Sequence, residues 1–234
     1  MPWTCPCSLF HASSHLYPDV SLLLSPLRII MAPYLETVKS FADVPITDAG
    51  VDTVAFLEAS EGVVGLFDLL GSAAFSVVQA DLKGNIAKVR ARYDATPALS
   101  DTLERLVENE KGEKKRTATE GLMWLLRGLS FTCKALQNAQ ANQSEELSAA
   151  FSKSYEVTLK KFHNFVVKGI FAVSMKACPY RADFFAKLRA DPAGGPEASE
   201  AKLNEELDKW LGALRGIVTR METFYEKGGH GKGF

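Results

Sequence analysis

From Asp52 onward the apolar residues return at every third or fourth position almost without a break, and runs that alternate polar with apolar are essentially missing. A chain with this period buries its apolar stripes only by packing helix on helix, so the spacing predicts an all-α domain. At 234 residues the chain is short for two domains and ample for one with a substantial core. Asp52 or Thr53 caps a helix running to about Leu70, where Gly71-Ser72 stops it. A second helix spans about Ser76 to Tyr93, ahead of Pro97, and a more polar third begins at Ser100. Thr117-Ala-Thr-Glu120 has the form of a capping box, in which hydroxyl and carboxylate each satisfy a free N–H, and opens a long helix to about Gln140. Further helices are expected at about 145–158, 163–176 and 180–190. A last one, at about 198–226, follows the breaker cluster Asp191-Pro-Ala-Gly-Gly-Pro196 and precedes a Gly-rich tail.

Composition removes several function classes. The 27 Lys and Arg nearly cancel the 28 Asp and Glu, so no global cationic field draws the chain onto nucleic acid. Cys5, Cys7, Cys133 and Cys178 fall in no zinc-type spacing and are too few to staple a chain of this length, which favours a reducing compartment. The longest apolar run, residues 20–27, is broken by Ser25 and Pro26 and falls well short of the roughly 20 residues of a membrane span. Residues 1–30 show no helical period, no basic start and no small-residue cleavage site, and read as a disordered extension rather than a signal peptide. Met31 opens Met-Ala-Pro-Tyr-Leu-Glu like a natural start, which would leave residues 1–30 outside the native chain and the domain at 31–234.

Polar chemistry meets the apolar faces at three places. At ~100° per residue, Asp81, Asn85 and Lys88 fall within a stripe roughly 60° wide, and the apolar stripe of Leu82, Ile86, Val89 and Tyr93 lies only about 90–100° away. The acid–amide–base row therefore borders the buried face. It reads either as a solvated ladder or as a site for a ligand bearing hydroxyls and an amide, because carboxylate accepts, amide does both and ammonium donates. The long helix carries two apolar stripes. One is Leu122, Leu125, Leu126, Leu129, Cys133 and Leu136; the other is Trp124, Gly128, Phe131 and Ala135, with Gly128 expected to leave the indole face uncrowded. A helix apolar on two sides is sandwiched between layers. His163, among Phe162, Phe165, Val166, Val167, Ile170 and Phe171, is the only histidine between His15 and His230. One core histidine cannot assemble a His-rich metal site. No His-Glu-x-x-His, Gly-x-Ser-x-Gly or phosphate loop occurs, and Cys133 and Cys178 sit in apolar stretches that suit structural thiols. Neither enzyme chemistry nor a cofactor is indicated.

These residues carry a resemblance. Phe56-Leu-Glu-Ala, Phe67-Asp-Leu-Leu-Gly71 and Asp81-Leu-Lys-Gly-Asn85-Ile-Ala-Lys88-Val resemble one block of the glycolipid transfer proteins. Trp124-Leu-Leu-Arg-Gly-Leu-Ser-Phe131 resembles a second, and His163 through Ala177-Cys-Pro-Tyr-Arg-Ala-Asp-Phe184 a third. The order is right over essentially Tyr34 to Tyr225, and the sequence is most similar to fungal heterokaryon-incompatibility members.

The resemblance implies a two-layer sandwich of about eight helices that takes one glycosphingolipid from a membrane, shields its hydrocarbon and releases it elsewhere. It implies that Asp81 and Asn85 bond the ceramide amide and first sugar, Lys88 bonds sugar hydroxyls, Trp124 stacks on the sugar and His163 bonds the acyl carbonyl. Shielding matters because some 30 methylenes at about 0.8 kcal/mol each cost on the order of 20 kcal/mol in water. Phe67, Leu70, Phe75, Phe131, Leu136, Phe171 and Phe184 are candidates for the tunnel lining, and any of them equally suits ordinary core. Family members that carry ceramide-1-phosphate have basic residues where Asn85 and Trp124 stand, so a neutral glycosylceramide is favoured here; Lys88, Arg90 and Arg92 keep an anionic lipid open. Tyr155, Phe165, Val166 and Lys168 are candidates for transient membrane contact by a cytosolic, peripheral monomer. The resemblance also implies an aromatic near the C-terminus that covers the head group, its place open among Tyr225, the glycine tail and Phe234. A lipid sensor or incompatibility-signalling role uses the same pocket.

Overall fold

The computed structural model describes residue 1, residues 34–191 and residues 194–231. The readings of residues 1–30, of Met31 as a start and of Phe234 as a cover lie outside the described residues. Among those described there are nine α-helices: α1 (Tyr34–Thr37), α2 (Thr53–Leu69), α3 (Ser76–Ala95), α4 (Leu103–Asn109), α5 (Thr117–Ala141), α6 (Leu147–Val157), α7 (Phe165–Lys176), α8 (Arg181–Arg189) and α9 (Glu200–Gly228). No helix among the described residues is long and apolar enough to cross a membrane.

Helix starts follow from side chains that satisfy the free N–H groups of a first turn. Asp52 accepts from Ala55 N at 2.8 Å and opens α2, and Asn164 accepts from Val167 N at 3.0 Å and opens α7. Thr102 and Ser199 do the same for α4 and α9. Gly71 and Gly229, at φ 67° and 63°, end α2 and α9 in the left-handed conformation that lacks a Cβ penalty.

Two local expectations are corrected. Ser100 does not start a helix: it closes a 3₁₀ turn over Pro97–Leu99 and pairs with the Thr96 hydroxyl at 3.0 Å. The capping box at Thr117 does not form, because Thr117 is already helical and its cap, Arg116, makes no side-chain bond. Glu110 reaches across from the end of α4 instead, and its carboxylate accepts from Ala118 N at 3.0 Å and Thr119 N at 2.6 Å. A carboxylate there also meets the positive end of the α5 dipole. Among the described residues one small antiparallel pair, β1 (Ile46–Thr47) with β2 (Gly50–Val51), leaves no mark on the sequence because two residues show no alternation. It is fastened by Glu104, whose carboxylate accepts from Val51 N at 2.9 Å and from Arg220 Nε at 2.6 Å.

Helix α5 packs against α3, α6 and α9, as its two apolar stripes require. Leu122, Leu125, Leu126, Leu129, Cys133 and Leu136 are all buried, and so are Phe131 and Ala135 on the other stripe. Gly128 does something other than uncrowd the indole. A Cβ there would lie 2.9 Å from Leu82, and one at Gly121 would lie 3.0 Å from Lys88 Cβ, so two glycines seven residues apart let α3 settle closely onto α5. That close approach sets the distance between the polar row of α3 and the indole of α5.

Candidate functional site

A cavity of about 500 Å³ opens where α3, α5 and the link into α7 meet. Asp81, Asn85, Lys88, Trp124 and His163 all line it, so five residues spread over 83 positions of sequence share one wall system. Its deeper lining is apolar, with Leu82, Phe131, Val167 and Phe171 among the contributors.

The row on α3 is hydrogen-bonded end to end. Asn85 Nδ2 donates to Asp81 Oδ2 at 3.2 Å, and Lys88 Nζ donates to Asn85 Oδ1 at 2.9 Å. Asn85 is buried, while Asp81 and Lys88 on either side of it remain exposed. Both bonds to Asn85 orient its amide. Desolvation raises the Asp81 carboxyl above its ordinary range, against the pull of Lys88 and the Asn85 bond in the other direction.

His163 sits in extended backbone just before the cap of α7, not within the helix. Its ring is parallel to Trp124 within 15° at a centroid distance of 6.2 Å, and Phe171 lies 4.7 Å away. Burial, Lys168 and Arg127 all push its pKa down, so it is neutral near pH 7. Tyr155 Oη lies 3.0 Å from Nδ1. Burial raises the Tyr155 pKa, which keeps the phenol protonated and able to donate. The contact fits two tautomers: a donating phenol puts the ring proton on Nε2, where it faces the cavity as an N–H donor, and an accepting phenol puts it on Nδ1.

Tyr155 is therefore not the surface aromatic that the sequence suggested. It is 6 % exposed and stacked on Phe171 at 4.8 Å. The other three membrane candidates are accessible: Phe165 is 91 % and Val166 67 % exposed, and Lys168 is half-buried. Of the seven tunnel candidates only Phe131 and Phe171 line the cavity. Phe67, Leu70, Phe75, Leu136 and Phe184 are buried in the continuous core behind it. Phe75 and Phe67 nevertheless connect to the cavity through rings in contact, Phe131 to Phe151 at 5.8 Å, Phe151 to Phe75 at 6.5 Å and Phe75 to Phe67 at 5.7 Å. Tyr225 is in the core, its hydroxyl donating to Thr119 O at 2.7 Å, and does not line the cavity.

Three contributors carried no sequence signal. Arg127, 6 % exposed, holds its guanidinium 3.7 Å above the Phe162 ring and 4.6 Å from the centre of Trp124, bracing the wall from behind. Phe162 and Glu120 line the cavity beside Trp124. Burial disfavours the thiolate at both cysteines, pushing Cys133 up to about 11 and Cys178 up to about 12. Among the described residues no cluster of His, Cys, Asp and Glu is placed to hold a metal ion.

A family model described as glycolipid transfer protein matches residues 51–190, which contain Asp81, Asn85, Lys88, Trp124 and His163 of the cavity. The chain belongs to the glycolipid transfer protein family. A glycolipid transfer protein of Aureobasidium melanogenum is 46% identical over 192 residues, covering 82% of this chain and 92% of that one. The crystal structure of HET-C2, a fungal glycolipid transfer protein, superposes with a TM-score of 0.76 at 47% identity, over 82% of this chain and 96% of that one. The structure of FAPP2, which selects simple glycosphingolipids using this fold, superposes with a TM-score of 0.78 at 32% identity, over 86% and 98%. The architecture is thus the all-α sandwich of the glycolipid transfer proteins, and the likeness to a fungal member holds in both sequence and structure.

Proposed function

We propose that this glycolipid transfer protein takes a neutral glycosylceramide out of one membrane, carries it and delivers it to another. What carries the reading is the composition of one wall: a hydrogen-bonded Asp81–Asn85–Lys88 row opening on the same cavity as the Trp124 indole and a neutral His163. Asp81 and Asn85 accept from the ceramide amide and a sugar hydroxyl, Lys88 donates to further hydroxyls, and Trp124 offers a flat apolar face to the sugar ring. The Nε2–H of His163 donates to the acyl carbonyl, with the Tyr155 phenol donating to Nδ1. The ionisable groups lining the cavity are Asp81, Glu120, Lys88 and the neutral His163. Two carboxylates against one ammonium disfavour a phosphate carrying about −1.5 to −2, which argues for sugar over phosphate.

The hydrocarbon enters below the head group at Phe131 and Phe171 and follows the seam of rings through Phe151 and Phe75 toward Phe67. Phe165, Val166 and Lys168 bring the cavity mouth to the bilayer of a cytosolic membrane face, and the 31–234 domain acts as a monomer.

Transfer of labelled glucosylceramide between vesicles tests this. The wild type moves the lipid and returns it intact, and Asp81→Val stops uptake while leaving helix content unchanged. Binding without transfer would favour a sensor. Release of free sugar would make the protein a glycoside hydrolase, with Asp81 and Glu120 as its two carboxylates.

A further inference from the structure

A second opening, of about 460 Å³, lies between α6 and α7 and shares no residue with the lining of the lipid cavity. Three lysines reach it, Lys160, Lys168 and Lys176, over a floor that includes Ala172 and Met175. Glu156 is the only carboxylate in its lining, and Lys160 already binds both its oxygens, at 2.7 and 2.6 Å. Lys168 and Lys176 make no ion pair among the described residues. Their helix, α7, has two lysines and no acid in its 12 residues.

The outer face of that helix is equally unusual. Phe165, Val166, Gly169, Ala172 and Val173 fall at i, i+1, i+4, i+7 and i+8 and are all exposed, so they form one apolar strip. Ala172 and Lys176 belong both to this face and to the groove. An apolar helix face edged by unpaired lysines is the pattern that lies in a membrane interface. Here the lysines are also gathered around a hollow of head-group size.

We infer that the α6–α7 groove seats the phosphate-bearing head group of an anionic phospholipid while the apolar face of α7 rests in the bilayer. The ammonium groups of Lys168 and Lys176 contact the phosphate, Lys160 is shared between it and Glu156, and Ala172 and Met175 meet the first carbons beneath. The occupant is a bilayer lipid rather than free phosphate because the groove runs directly into the apolar strip. The inference rests on α7 being the membrane face.

Co-sedimentation with phosphatidylcholine vesicles, with and without about 20 mol % phosphatidylserine, tests it. The wild type binds the anionic vesicles more tightly. Replacing Lys160 and Lys176 together by Gln removes about fivefold of that gain per lysine and leaves binding to neutral vesicles unchanged. Lys114 and Lys115, exposed ahead of α5, provide a control of equal charge change. An equal loss in the Lys114→Gln/Lys115→Gln variant, or a wild type indifferent to phosphatidylserine, overturns the site. Phe165→Ala/Val166→Ala separates the two readings. If it weakens binding to neutral vesicles while the groove variant loses nothing, only the groove falls; if it binds them like the wild type, the membrane face falls with it.

Discussion

Trp210 and Trp124 are the same side chain in two opposite surroundings. Trp210, on α9, is 2 % exposed and edge-on to Phe41 at 5.0 Å, enclosed by core on every side. Its indole N–H finds no hydrogen-bond partner among the described residues, so the ring holds the fold by apolar contact, less the cost of an unpaired N–H. Trp124, on α5, is only partly buried and forms a cavity wall, with the Arg127 guanidinium braced near it. Where neighbours surround a ring, its contact energy stabilises the fold; where one side is left empty, that energy is held for a ligand.

The comparison predicts a double dissociation. Trp210→Ala costs about 3–5 kcal/mol of stability, because it opens a large hole in rigid core, and Trp210→Phe costs much less since no hydrogen bond is lost. Lipid affinity per folded molecule stays at the wild-type level. Trp124→Ala costs about 1–2 kcal/mol of stability, from partial burial and the Arg127 contact, and about tenfold in glucosylceramide binding. Denaturant melts alongside equilibrium lipid binding check both. Equal damage to stability from the two truncations would mean that Trp124 is core and that the cavity wall is misassigned.

The same contrast explains what could be read from sequence. Helix positions were legible because amphipathic spacing is a local property, and so was the Asp81–Asn85–Lys88 row, whose members lie one turn apart. The tunnel was not. A Phe facing a cavity and a Phe facing another Phe have the same spacing, which is why Phe131 and Phe171 could not be told from Phe67, Leu70, Phe75, Leu136 and Phe184. Tyr155 was read as interfacial because an apolar ring with a hydroxyl suits either a membrane edge or a buried partner. Its partner, His163, lies beyond the end of α6, where helical periodicity no longer applies. Glu110 took the role assigned to Thr117 for a similar reason: the carboxylate comes from the preceding helix. Nothing in the spacing of Arg127 announces a guanidinium folded against two rings.

A smaller effect sharpens the division between fold and ligand at a polar position. Desolvation dominates the upward shift of Asp81, so the folded state holds its proton more tightly than the unfolded chain. By linkage such a group lowers stability as pH rises through and above the ordinary carboxylate range, since the folded state binds more protons there. Asp81→Asn keeps an acceptor for Asn85 and removes a partly desolvated charge, and it therefore leaves the melting temperature at neutral pH unchanged or slightly higher. Glucosylceramide binding falls by about 1 kcal/mol, roughly five- to tenfold, as a charge-assisted bond becomes a neutral one. A drop in melting temperature would place Asp81 among the residues that hold the fold.

The smallest effect tests the charge state of His163. Its pKa is lowered by burial first, then by Lys168 and Arg127. The unfolded chain thus takes up the proton at a higher pH than the folded one, and stability declines as pH falls below about 6.5 until the folded ring titrates as well. His230 is shifted the same way, by burial and by Arg116 and Lys111 against Glu108, so the wild-type slope sums both histidines. His163→Gln isolates one. The variant retains a neutral donor and acceptor but cannot titrate, so its stability declines less between pH 7 and about pH 5.5, by under about 1 kcal/mol. In the proposed tautomer the proton on the folded ring has to go to Nδ1, where it meets the Tyr155 hydroxyl, which must turn from donor to acceptor. Glycolipid binding therefore stays level across this range, since Nε2–H donates in both charge states. A wild type whose lipid affinity collapses near pH 6 while its fold persists would show that Nε2 accepts rather than donates, and the acyl carbonyl would need another partner.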